Sequence, residues 1–189
     1  MKRHISSLCR TTFLALGRIA SIRPFLSNSS TENLVVSMIT SRLDYCNATF
    51  TGVVDEQIGR IQKIQNNAAQ LILKKSKCDH VTPLLKELHW LPVKYRIQYK
   101  LTMLAFHHFD STLPPYLSSL CTYQPSRSLR SSTERLLKLP KTNLKTFGEF
   151  SFGYIAPTVW NSLLADPSAS PSLPTFKVNL KTHFFRQAF

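Results

Sequence analysis

The segment that decides the fold is Cys78–Phe109, CDHVTPLLKELHWLPVKYRIQYKLTMLAFHHF, whose pattern predicts two helices that meet at a tight corner. Thr82 followed by Pro83 indicates the start of the first helix, because a threonine hydroxyl can accept a bond from a free amide and proline suits the first helical turn. The dipeptide Leu91-Pro92 then favours an extended residue before a second helix. We expect the ring of Trp90 to wedge between the two helices at the corner.

The second predicted helix, about residues 92–109, is apolar on two sides. At about 100° per residue, two nearly opposite apolar faces are separated by two narrow polar strips. The first face contains Val93, Ile97, Leu101 and Leu104, and the second contains Tyr95, Tyr99, Met103 and Phe106. Because both faces need partners, the pattern predicts a central helix packed on two sides. Arg96 and Lys100 share one of the polar strips, from which they could reach a ligand.

Seven blocks of the sequence resemble the C-terminal region of the reverse-transcriptase polyprotein of LINE-type retrotransposons, which are non-long-terminal-repeat elements, in the L2/CR1-like clades. The blocks are RLDYCN (42–47), QKIQNNAAQLI (62–72), DHVTPLLKELHWLPVKYRIQYK (79–100), LPPYLSSL (113–120), PSRSLRSS (125–132), APTVWNSL (156–163) and FKVNLKTHFF (176–185). They keep the order of that family and span almost the whole chain. The resemblance implies the region downstream of the polymerase palm, which comprises the thumb and a C-terminal extension.

We predict a mainly α protein in three parts. Residues 1–121 are expected to form a thumb-like helical bundle, and residues 122–132 a basic, serine-rich linker. Residues 133–189 are expected to form a small mixed α/β C-terminal appendage. Its predicted short strands rest on the partial alternation of Phe147, Phe150, Phe152 and Tyr154 around glycines. Helices are expected to open at Pro157 and Pro174.

Three further helices are predicted before the corner. They are a helix that Pro24 ends, a helix from the capping-box pattern Ser29-x-x-Glu32 through Leu43, and a helix from a cap at Asp55 to about Lys75. The apolar stripe of the first helix contains Ile5, Leu8, Cys9, Thr12, Phe13, Leu16 and Ile19, with Arg10 and Arg18 opposite. The basic, acid-free N-terminus also has the composition of a transit peptide. We favour a structural helix, because the resemblance already begins near His4.

The charge distribution predicts a polyanionic partner. The 189 residues include 24 Lys and Arg against 10 Asp and Glu, a formal net charge of +14, and the basic residues come in patches. On the third predicted helix, Gln70 and three candidate residues form an outer face of amide and ammonium donors, which suits a nucleic-acid backbone or is simply solvated. The candidate nucleic-acid-binding residues are Lys63, Asn67, Lys74, Lys75, Lys77, Arg96, Lys100, Arg127 and Arg130.

No catalytic pattern is recognisable, so we expect no enzyme. Polymerisation needs clustered carboxylates that hold two metal ions. The resembled family supplies them as adjacent aspartates, and this chain has no Asp-Asp pair. No cofactor, metal or small-molecule substrate is indicated, and there is no 18-residue apolar run that would make a membrane a partner.

The four cysteines lack C-x-x-C spacing and are expected to be reduced, buried thiols of an intracellular protein, nuclear or cytoplasmic. The alternative is an improvised metal site. Its ligands would be Cys46, Cys78, His80 and His89.

Two functions remain open at this point. In the first, the chain is a non-catalytic C-terminal fragment of a reverse transcriptase that retains sequence-nonspecific binding to RNA or an RNA/DNA duplex. In the second, it is a folded relic or a protein-interaction module with no nucleic-acid role. The first predicts that Lys63, Lys74, Arg96 and Lys100 share one basic surface on two helices, unless the basic linker makes the contacts.

The first testable expectation is that this chain does not polymerise DNA. Primer extension with Mg²⁺ or Mn²⁺ at high protein concentration should give only the background of a protein-free reaction, because the chain lacks the adjacent aspartates with which the resembled family holds two metal ions. A reverse transcriptase assayed in parallel serves as the positive control. Template-dependent extension above background would contradict the assignment to the region beyond the palm.

Overall fold

The computed structural model describes residues 1–122, 136–142, 148–163 and 172–189. These segments are mainly helical, as the sequence predicts. The α-helices are α1 (Lys2–Ile22), α2 (Asn28–Val35), α3 (Ser41–Asp44), α4 (Asp55–Ile72), α5 (Val81–Glu87), α6 (Val93–Phe109), α7 (Pro115–Ser118), α8 (Phe152–Asn161) and α9 (Leu173–Ala188). Within the same segments, no helix is both long enough and apolar enough to cross a membrane.

The predicted mixed α/β appendage is wrong where the structure describes it. Residues 148–150 form a turn and α8 begins at Phe152, so Phe150, Phe152 and Tyr154 belong to no strand, while Phe147 lies outside the described residues. The described segments contain only an isolated bridge at Leu137 and no strand. Tertiary packing decides the outcome: α8 buries Ile155, Ala156 and Trp160, a helical spacing that the alternating aromatics conceal.

The chain divides into two compact units at a point within α6. Unit 1 comprises Met1–Arg96 with Ala188–Phe189, and unit 2 comprises Ile97–Gln187. The predicted linker, residues 122–132, lies outside the described residues except for Thr122, so that boundary stays a prediction. Both predicted apolar faces of α6 contain buried side chains, among them Ile97 and Leu101 on one face and Phe106 on the other.

Unit 2 has an aromatic core. The rings of Phe106 and Phe176 stack with their centroids 4.2 Å apart, and Trp160 lies 6.5 Å from Phe106 and 5.8 Å from Phe176. Gly153 of α8 allows a close approach to Leu120, because a Cβ there would lie 3.0 Å from the Leu120 carbonyl oxygen. Pro157 lies inside α8 and does not open it, contrary to prediction. The predicted inward side of the last helix is confirmed by the burial of Phe176, Leu180 and Phe184.

Unit 1 is built on the pairing of α1 with α4. Ser6 of α1 contacts Arg60 of α4, and Arg23 just beyond α1 contacts Leu71 and Ile72 at the end of α4, so the two helices run in the same direction. Their shared core contains fully buried isoleucines. The buried residues of α1 are Ile5, Cys9, Thr12, Ala15 and Ile19. A structural first helix is therefore confirmed.

Several predicted helix starts are shifted. The cap of α2 is Ser27, whose Oγ accepts from the Ser30 amide at 3.0 Å, and the expected capping box at Ser29 does not form. A π-helical segment, Val36–Thr40, connects α2 to α3. Asp55 is the first residue of α4 and not its cap, so its carboxylate acts on the helix dipole. Thr82 likewise lies inside α5, which begins at Val81.

The predicted corner between the two central helices is confirmed, and a Schellman motif builds it. The amide of His89 donates to the Lys86 carbonyl at 3.0 Å, and the amide of Trp90 donates to the Leu85 carbonyl at 2.8 Å. His89 takes the left-handed conformation (φ 51°) that this motif requires, in place of the usual glycine. Trp90 and Leu85 occupy the two positions that make an apolar contact in this motif, and both are buried.

A buried arginine closes the end of α4. Arg23 is only 6 % exposed. Its Nε donates to the Leu71 carbonyl at 2.9 Å, and its Nη2 donates to the Ile72 carbonyl at 2.8 Å. Nη1 donates to the Leu26 carbonyl at 2.7 Å, and Nη2 also contacts the Asn28 side-chain oxygen at 2.5 Å. The guanidinium thus takes its stabilisation from carbonyls at a negative helix end, with no carboxylate among these four partners.

We expect Arg23→Gln to destabilise the protein by about 2–6 kcal/mol, because it leaves one part-buried and one buried helix carbonyl without donors at about 1–3 kcal/mol each. The shorter amide cannot reproduce the fork of the guanidinium. Arg18→Gln, at an exposed position near the end of α1, is the control and should change stability by less than about 0.5 kcal/mol. Urea denaturation of both variants measures the difference, and equal midpoints would show that Arg23 does not hold α4.

Candidate nucleic-acid interface

A cationic cleft lies between α1 and α4 in unit 1. Its volume is about 360 Å³. The residues that line it are Ser6, Cys9, Arg10, Phe13, Arg60 and Lys63. We call this the α1–α4 cleft. Three of its six lining residues are cationic and none is acidic, so its chemistry suits an anion.

Helical spacing brings the cations of the cleft together. Arg60 and Lys63 are three positions apart on α4, so they are neighbours on its surface, and Arg10 lies between Ser6 and Phe13 on one side of α1. One nitrogen of Arg60 is tethered, because Nη1 donates to the Gln57 side-chain oxygen at 3.0 Å and to Ser6 Oγ at 3.3 Å. This tether aims the guanidinium across the cleft. Arg10 and Lys63 form no hydrogen bond or ion pair with any described residue.

Cys9 adds no negative charge to the cleft at neutral pH. Burial raises the pKa of the Cys9 thiol, and the positive charge of Arg60 offsets part of this rise. A buried, neutral thiol is a weak nucleophile, so its place here is in the packing of α1 on α4. The positive charges of the cleft are therefore not neutralised from within.

The predicted α4 residues separate into different environments. Lys63 is exposed in the cleft, and Asn67 is half-buried one turn further along the helix. The predicted helix end near Lys75 is wrong, because α4 ends at Ile72 and Lys74 has a left-handed backbone (φ 53°). Helical periodicity therefore does not place Lys74 on the side of Lys63.

The loop after α4 carries three of the candidate lysines, all exposed: Lys74, Lys75 and Lys77. The amide of Lys75 donates to the Gln70 carbonyl at 2.9 Å, which closes the helix end. Gln70 is buried and directs its amide to the Lys77 and Asp79 carbonyls at 3.5 and 3.4 Å, so its predicted place on the outer face is wrong. The Asp79 carboxylate accepts from the Ser76 amide at 2.7 Å and places a negative charge within this loop.

Arg96 is engaged in a structural ion pair. Its Nε donates to Asp44 Oδ1 at 2.8 Å, and its Nη2 pairs with Asp44 Oδ2, so the contact is bidentate. Asn47, which is buried, donates to the same carboxylate at 3.4 Å. An arginine already paired in this way presents little charge to a phosphate. The contact with Asp44 therefore gives Arg96 a role in stabilising the fold.

The remaining candidates are not gathered into the cleft. Lys100 is exposed on the part of α6 that belongs to unit 2. Arg127 and Arg130 lie outside the described residues, so the contacts predicted for the basic linker stay a prediction. Three residues that line the cleft are not among the predicted site residues: Arg10, Arg60 and Phe13. Phe13 belongs to the predicted apolar stripe of α1, yet it is 44 % exposed. The sequence signal for this side of α1 is the four-residue step from Ser6 to Arg10.

Two glutamines in the QKIQNNAAQLI block are structural. Gln62 Oε1 accepts from the Val93 amide at 2.8 Å at the start of α6, and Gln65 Nε2 donates to the Leu91 carbonyl at 2.8 Å. The Gln62 amide also donates to Gln65 Oε1 at 2.9 Å. These bonds satisfy backbone groups at the helix corner. The side of α4 that carries Gln62 and Gln65 therefore stabilises the corner between α5 and α6.

Two predictions concern the cysteines: that the thiols are buried and, as the alternative, that some of them hold a metal ion. All four cysteines are free, and Cys9 and Cys121 are buried, but Cys46 and Cys78 are exposed, contrary to the expectation of buried thiols. In the segments with described coordinates, no three His, Cys, Asp or Glu side chains are grouped closely enough to hold a metal ion. The improvised metal site therefore has no support.

Comparisons with family models, with curated proteins and with solved structures find no match to this chain. The resemblance to LINE-type reverse transcriptases therefore remains a prediction from the seven sequence blocks.

Proposed function

We propose that this protein binds nucleic acid through the phosphate backbone, without sequence preference, and that the α1–α4 cleft is its principal site. The observation that carries the proposal is the meeting of Arg10, Arg60 and Lys63 in one cleft whose lining contains no acidic side chain. Cations placed this way neutralise phosphates and release condensed counterions, which supplies affinity without reading bases. The net charge of +14 adds a long-range attraction for any polyanion.

The cleft is a better phosphate site than the other basic candidates. Arg96 is already paired with Asp44, and the loop lysines share their loop with the Asp79 carboxylate. In contrast, Arg10 and Lys63 have no partner among the described residues. We therefore assign the main contacts to the cleft and secondary ones to Lys74, Lys75 and Lys77.

The proposal includes an origin as a non-catalytic C-terminal fragment of a LINE-type reverse transcriptase. The seven blocks support it, and two of them, RLDYCN and the block that contains Arg96, are joined by the Asp44–Arg96 pair. In the resembled family this region is thought to hold template–primer duplex and element RNA. A backbone-binding surface is the property that such a fragment would keep.

The test is a salt titration of binding to RNA and DNA. We expect the triple variant Arg10→Gln, Arg60→Gln, Lys63→Gln to lower the magnitude of the salt slope by about 2–3 units, because each lost phosphate contact removes about 0.7–0.9. Fluorescence anisotropy with labelled oligonucleotides at several salt concentrations measures it. The melting temperature checks that the variant folds.

The matched control removes the same charge from exposed lysines elsewhere, by Lys94→Gln, Lys177→Gln and Lys181→Gln. This variant should keep the parent's slope within about one unit if the cleft makes the contacts. Equal losses in both variants would show diffuse attraction to net charge and would overturn the assignment to the cleft. A parent protein that binds neither RNA nor DNA would overturn the function and favour the interaction module.

A further inference from the structure

Phe13 is an exposed aromatic residue beside the buried face of α1. The helix buries Ile5, Cys9, Thr12, Ala15 and Ile19, whereas Phe13 is 44 % exposed and lines the cationic cleft. Phe13 and Arg10 are three positions apart, which makes them neighbours on the helix surface. A large aromatic side chain beside three cations is therefore available to a ligand.

The size of the cleft limits what can enter it. A volume of about 360 Å³ lies near the lower end of the range of small-molecule sites, which is about 300–1,000 Å³. A volume on this scale suits one nucleotide unit. A base within a duplex is stacked on both faces, so its ring is not free to contact Phe13.

Single-stranded sites combine the two features found here. A cationic groove follows the phosphates, and an aromatic ring stacks on a base regardless of its identity, because every base has a π face. The phosphates of a duplex at the edge of the cleft would contact Arg10, Arg60 and Lys63, but its bases would not contact Phe13. The exposed ring inside the cleft thus favours an unpaired strand over a duplex.

We propose that the α1–α4 cleft binds an unpaired nucleotide of single-stranded RNA or DNA, with its base stacked on Phe13 and its flanking phosphates on Arg10, Arg60 and Lys63. This inference rests on the proposed nucleic-acid binding and narrows its substrate class. Stacking contributes to affinity without reading sequence, so binding remains nonspecific.

The experiment compares Phe13→Leu with the parent protein on oligouridine and on an RNA hairpin whose stem is extended and whose loop is minimal. We expect Phe13→Leu to weaken binding to oligouridine about 5- to 150-fold, equivalent to about 1–3 kcal/mol for one stacked base. Hairpin binding and the salt slope on either RNA should be unchanged. Phe13→Tyr should keep the parent's affinity, because it keeps the ring.

Leu14→Ala is the matched control, since Leu14 is an exposed neighbour on α1 that does not line the cleft, and it should bind both RNAs as the parent does. Phe13→Leu with unchanged oligouridine affinity, or with equal losses on both RNAs, would overturn the stacking site. The triple variant Arg10→Gln, Arg60→Gln, Lys63→Gln tests the proposed function separately. If its salt slope falls while Phe13→Leu binds as the parent does, phosphate binding in the cleft stands and only the stacking site is overturned. Binding to anionic lipid vesicles but to no RNA would contradict both.

Discussion

Unit 1 depends on the hydrogen bonds that the buried guanidinium of Arg23 donates to the end of α4. Arg23 donates to the last two carbonyls of α4 while its backbone follows the end of α1, so it ties the ends of two parallel helices together. The charge is buried without a carboxylate among its partners and is stabilised by the negative end of a helix. With these ends fixed, α1 and α4 run side by side. The same pairing brings Ser6 to Arg60 near their beginnings and forms the cleft.

The sequence predicts the helices well and their ends poorly. Hydrophobic periodicity finds the long helices because burial repeats at each turn, and the dipeptide Leu91-Pro92 predicts the corner at Trp90. The helix ends depend on backbone hydrogen bonds that the local sequence pattern does not predict. At the ends of α4 and α5, Lys74 and His89 take left-handed conformations where glycine is expected. The strands expected around Phe152 fail for a related reason, since alternating aromatics are compatible with either structure until the packing of Trp160 decides.

The site is harder to predict than the fold, because its residues are partners across long stretches of sequence. Lys63 was predictable as an exposed donor, but its neighbours Arg10 and Phe13 lie some 50 residues away on α1. Arg96 appeared available on a polar strip, and only the fold shows that Asp44 occupies it. The buried role of Arg23 was equally invisible, since its main partners are backbone carbonyls 48 and 49 residues away.

The seven resemblance blocks contain residues that stabilise the fold, whereas several residues of the α1–α4 cleft lie outside the blocks. Polar residues inside the blocks, such as Gln62, Gln65 and Asp44, hold the fold together, whereas Arg10, Phe13 and Arg60 lie outside them. The most direct test of the cleft as the nucleic-acid site is an NMR titration of the protein with a short single-stranded oligonucleotide. The account predicts the largest chemical-shift changes along the cleft faces of α1 and α4. Changes confined to the loop after α4 or to α9 would contradict it.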